Sequence, residues 1–96
     1  MENGTDCKTI QDAVEYLKEH VSRGEMEAFA AMDSEDIIVF HYGLGRWIRN
    51  EMGLWADNKE LLEDCGMEHP DDASYVIMEA FWKHLRSFPI KTIRKE

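Results

Sequence analysis

The run HPDDASYVIMEAFWKHLRS, residues 69–87, carries a complete set of helix signals. Pro70 has a preset φ and no amide hydrogen to lose, so it suits the first position of a helix, and Asp71 and Asp72 follow where the helix dipole favours negative charge. Ile77, Met78, Phe81 and Leu85 recur three and four residues apart and form one apolar stripe, flanked by Val76, Ala80 and Trp82. Lys83, His84 and Arg86 fall in the last turn, where the dipole stabilises positive charge. A helix of this kind must bury its stripe, so the rest of the chain has to supply matching apolar faces.

Those faces are also helical in pattern. Thr9 followed by Asp12 is a weak capping box, and Ile10, Ala13, Val14, Leu17 and Val21 continue as an amphipathic helix expected to end near Gly24. EMEAFAAMD, residues 25–33, reads as a short helical connector. Ser34, Glu35 and Asp36 read as the start of a third helix, in which Ile37, Phe40, His41, Leu44, Trp47 and Ile48 share one face. On that reading Tyr42, Arg46, Arg49, Asn50 and Glu51 lie on the opposite side. A buried strand through IIVFHY is the competing reading, since the stretch is rich in β-formers and precedes Gly43. Helix is preferred because the periodicity runs on through Gly43 and Gly45, which close packing should offset. Gly53 should end this helix, with Leu54 and Trp55 folding back onto the core. Asn58 can cap a short helix KELLEDC that stops at Gly66. The fold expected is all-α: one compact domain of four to five helices over residues 1–96, ordered over about 8–87, with a short basic tail at 88–96 expected to fray.

Composition limits the function classes. The 96 residues carry a net charge of −9, 44% hydrophobic residues and ten aromatics, enough to build a packed core rather than a disordered chain. The charge is uneven: residues 1–82 hold 19 acids against six Lys and Arg, whereas residues 83–96 hold five basic residues against Glu96. Phosphate neutralisation dominates nucleic-acid affinity, so direct duplex binding is not expected of such a body. Acidity serves solubility first; its sharper reading is engagement of a basic protein surface. No stretch approaches the roughly 20 apolar residues of a membrane span, and MENGTDCKTI lacks the order of a secretory signal, so a cytoplasmic protein is expected. Cys7 and Cys65 lack CxxC spacing and read as free thiols.

No P-loop, GxGxxG, HExxH, GxSxG or zinc-spaced Cys/His cluster occurs, and the GLG of residues 43–45 lacks the spacing of a nucleotide loop. No catalytic residue, cofactor or metal is expected. Polar residues nonetheless crowd between His41 and Ser74. Arg46, Arg49, Asn50, Trp55, Asn58, His69, Asp71 and Asp72 are the candidate binding residues, for a protein or a ligand. Arg49 is placed to meet Asp71 or Asp72 if the third helix packs on the start of the last. The preferred reading is an internal network; a polar pocket and a partner surface using exposed Arg and Trp are the alternatives. His41 reads as a core histidine and His69 as a cap or loop residue. His41, His69, Asp71 and Asp72 are acceptable metal-ligand types, but their spacing does not demand a metal.

HYGLGRWIRN at residues 41–50, GLW at 53–55, Asn58 and HPDDAS at 69–74 together resemble an uncharacterised family of short bacterial and phage proteins with an H-[FY]-G-L-G-x-W-I-R-N core and a later H-P-D-D-x-S. The likeness spans residues 35–86 and departs at Met52, where the family pattern has an aromatic, and at Ala56 and Asp57, where it has glycine. The resemblance implies no activity. The leading expectation is a non-enzymatic interaction protein, by analogy an inhibitor of anti-defence (anti-CRISPR-like) or antitoxin type, with a basic protein partner; a homodimer is compatible with it. The rival is a ligand-binding or metal-dependent enzyme centred on His41, Arg49, Asn50, His69 and Asp72.

Overall fold

A computed structural model describes residues 6–55 and 58–87, all but the side chain of His41. Among the described residues the regular elements set out below are five α-helices and a 3-10 segment, and no strand occurs. They are α1 (Ile10–His20), α2 (Arg23–Ala30), the 3-10 segment (Ile37–His41), α3 (Leu44–Glu51), α4 (Lys59–Cys65) and α5 (Pro70–Ser87). The expected all-α fold is the one observed. The readings of the tail at 88–96 and of Ala56 and Asp57 lie outside the described residues.

α5 is the hub: α1, α2, the 3-10 segment, α3 and α4 all pack against it. Ile77, Met78, Phe81 and Leu85 are buried as their spacing requires, with Phe29, Leu17, Ile37, Ile48 and Leu61 meeting them from the other elements. Phe29 lies between two rings, tilted against Phe40 at 5.0 Å between centroids and stacked on Phe81 at 5.8 Å. The far end of α5 also holds α2 in place. Trp82 Nε1 donates to the Met32 carbonyl at 2.9 Å and Arg86 Nη1 to the Ala30 carbonyl at 2.8 Å, which satisfies acceptors that the end of α2 leaves open.

The caps explain most boundaries. Thr9 Oγ1 accepts from the Asp12 amide at 3.0 Å, Ser22 Oγ from the Glu25 amide at 3.2 Å, and Asn58 Oδ1 from the Leu61 amide at 3.4 Å. Gly66 ends α4 in the left-handed region at φ 71°, where a side chain would be strained. Ser22 corrects the expected end of the first helix: α1 stops at His20, and Gly24 lies inside α2.

The larger correction is the third helix. The chain does not run as one helix from Ser34 to Gly53. Residues 34–36 form a turn, residues 37–41 a 3-10 turn, and α3 begins only after Gly43. Three β-branched residues in succession, Ile37 to Val39, and the glycine pair at 43 and 45 lower helix propensity where one long helix would have to propagate. The break also rotates the buried face. Gly45, Ile48, Arg49 and Met52 point inward at i, i+3, i+4 and i+7, while Leu44 and Trp47 are only half-buried. Arg49, expected on the outer side, is therefore an interior residue. Gly53 follows the helix at φ 68°; Leu54 does fold onto the core, but Trp55 is 58% exposed, against expectation.

Candidate functional site

Arg49 reaches the interior on the buried face of α3 and meets the first turn of α5. Its Nη1 donates to Ser74 Oγ at 2.9 Å, and that hydroxyl donates in turn to the Asp71 carbonyl at 2.9 Å. Nε lies 3.4 Å from Asp71 Oδ1, an ion contact without hydrogen-bond alignment. The side chain of Arg49 is 7% exposed and that of Asp71 50%, so the carboxylate keeps water on one side while the guanidinium is enclosed. This is an interhelical clamp that joins α3 to the hub, the internal network reading of these residues.

Asn58 is buried 51 residues along the chain from Cys7, yet they meet. Its Nδ2 donates to the carbonyls of Cys7 and Met52, both at 2.8 Å, while its Oδ1 caps α4. One side chain thus closes three backbone groups from three segments. Arg46, Asn50, His69 and Asp72 are exposed and make no side-chain hydrogen bond or ion pair among the described residues. The structure brings Arg49, Asp71 and Ser74 together, keeps Asn58 in a separate cluster and leaves Arg46, Asn50, Trp55, His69 and Asp72 on the surface. No group of three or more His, Cys, Asp or Glu side chains able to hold a metal occurs among the described residues.

Both cysteines are buried free thiols. Burial, with the neighbouring Asp64 carboxylate, pushes the Cys65 thiol up to about 11, so the nucleophilic thiolate is scarce at neutral pH.

A concavity lies elsewhere. A half-open cavity of about 500 Å³, within the range of ligand pockets, is walled by Phe29, Phe40, Trp47 and Phe81, with Leu44 and Val21 beside them and His20 and Glu25 as its polar lining. Gly43 belongs to its wall, and a Cβ added there would meet nothing within 4 Å. His20 Nδ1 lies 2.9 Å from the Tyr16 carbonyl, which can only accept, so Nδ1 carries the proton and the other ring nitrogen of the neutral imidazole is an acceptor. Next to the cavity in sequence, Asp33, Glu35 and Asp36 are exposed and precede exposed Ile38, Val39 and Tyr42, at 51%, 66% and 83%. Sequence reasoning missed this site because each aromatic in it carries an ordinary core signal. Only the pairing of a β-branched run with two glycines, the sign of a broken helix, pointed to an opening here.

No helix among the described residues is long and apolar enough to cross a membrane. Among known proteins, no curated protein and no solved structure matches the chain. Residues 8–85 match a family described as a domain of unknown function, DUF6794, and therefore include the Arg49 clamp, Asn58 and the aromatic cavity. With more than half its length matched, the chain belongs to the DUF6794 family.

Proposed function

We propose that this chain is an acidic, non-enzymatic interaction module that binds a basic surface of a protein partner, and that it acts as a cytoplasmic inhibitor of anti-defence or antitoxin type encoded by a bacterium or its mobile elements. The observation that carries the reading is the segment 33–42, where three exposed carboxylates run directly into three exposed apolar side chains. Exposed apolar residues rimmed by charge are the composition of an interaction surface, and the body's excess of acids makes the complementary partner basic. The exposed Arg46, Asn50, Trp55, His69 and Asp72 are available to widen the contact, whereas Arg49 and Asn58 are committed inside. The rival enzyme reading needs Arg49 to reach a ligand, and its enclosure against Ser74 and Asp71 favours the interaction reading.

Immobilised full-length chain exposed to lysate of its source organism tests this reading. A basic protein should be retained at low salt and released as ionic strength rises through the range where the Debye length falls to about 8 Å and below. Retention of nothing, or of a partner indifferent to salt, would contradict it.

A further inference from the structure

We infer that the aromatic cavity between α1, α2, the 3-10 segment, α3 and α5 is the anchor site of that basic partner, and that it takes an apolar side chain flanked by arginine or lysine. The inference rests on the interaction reading above and adds to it a location and a chemistry. Half-buried Phe40, Leu44 and Trp47 line the cavity, with buried Phe29 and Phe81 behind them, and the space is on the scale of one or two large side chains. The polar lining selects the sign of what flanks the anchor. Glu25 carries no ion pair among the described residues, so it calls for a donor or a cation. Aromatic faces attract cations in the same sense. Asp33, Glu35 and Asp36, also without ion pairs among the described residues, lie a few residues before Phe40 and extend the negative field along the same segment. An anionic or carboxylate-bearing occupant would meet repulsion from these carboxylates.

The test is calorimetric titration of the full chain, at low salt, with a short amphipathic peptide carrying one Phe anchor among arginines. Two controls accompany it: the same peptide with citrulline in place of arginine, and with Ala in place of the anchor. The parent peptide should bind, and each control should bind about tenfold more weakly or worse, the effect of losing one buried apolar side chain or its flanking charge. Gly43→Leu and Ala28→Phe both place new side chains into the cavity wall and should weaken the parent peptide by a similar factor. Thermal melting of each variant establishes that it is folded, and if one fails to fold the other decides. Unchanged affinity in a folded cavity-filling variant overturns the inference while leaving the interaction reading intact. Equal binding of the citrulline peptide overturns the cationic specificity. Failure of the parent peptide to bind, when a basic partner is still captured from lysate, overturns the inference alone; failure of both removes the reading on which it rests.

Discussion

Arg49 carries a full charge into the interior because the break at Gly43 sets the phase of α3, and the charge is tolerated because Ser74 and Asp71 meet it there. Removing the guanidinium strands the Ser74 hydroxyl's acceptor and leaves a void between α3 and α5. Arg49→Met, which keeps the stem, should cost about 2 kcal/mol, and Arg49→Lys nearly as much, since a single ammonium cannot reproduce the fork. Urea unfolding of both variants checks this. Asn58 offers a sharper case. Aspartate is as good a helix cap as asparagine, so Asn58→Asp would be neutral if capping were its whole role. The two carbonyls at Cys7 and Met52 need donors, and a carboxylate has none, so Asn58→Asp should destabilise by about 2–3 kcal/mol and by more than Asn58→Ser. Equal stability of the Asp variant would show that the cap alone matters.

At the scale of elements, the helices with complete local signals were legible. Thr9, Asn58, Pro70 and Gly66 each act at the position their chemistry suggests, because a cap is satisfied within three or four residues of chain. The stretch from Ser34 to Gly53 was not, because propensity and periodicity pulled in opposite directions there and tertiary packing on α5 decided between them. The error carried through to Arg49, whose burial depends on the phase of the helix rather than on its own type. The last turn of α5 shows a second competition. Its dipole favours positive charge, yet burial, and then Lys18 on α1, lower the His84 pKa below its ordinary 6.5, with Glu15 opposing only in part. The unfolded chain therefore binds more protons than the folded one just below pH 6.5, so stability should be level above that value and fall as pH drops through the folded pKa. Urea midpoints across this window should decline in the parent protein and decline less in His84→Gln.

At the scale of the molecule, one helix gathers all the others, and the start of the chain is tied to the middle. The Ile10 amide donates to Asp64 Oδ2 at 2.7 Å, and the Cys7 carbonyl is held by Asn58. The polar residues of residues 41–74 thereby divide into two groups: those that close the fold, Arg49, Asn58 and Ser74, and those left at the surface. Their crowding was visible in sequence, but their division was not, since it depends on contacts between residues 25 and 51 positions apart. The cavity was hidden for the same reason: its walls come from α1, α2, the 3-10 segment, α3 and α5. The account places binding on the acidic, aromatic side and structure on the Arg49 side. Backbone amide shifts of labelled full-length protein, titrated with the arginine-flanked Phe peptide, test that division most directly. The largest changes should fall at residues 20–29 and 36–47, with the Ser74 and Asp71 amides unmoved; changes centred on Arg49, His69 and Asp71 would contradict it.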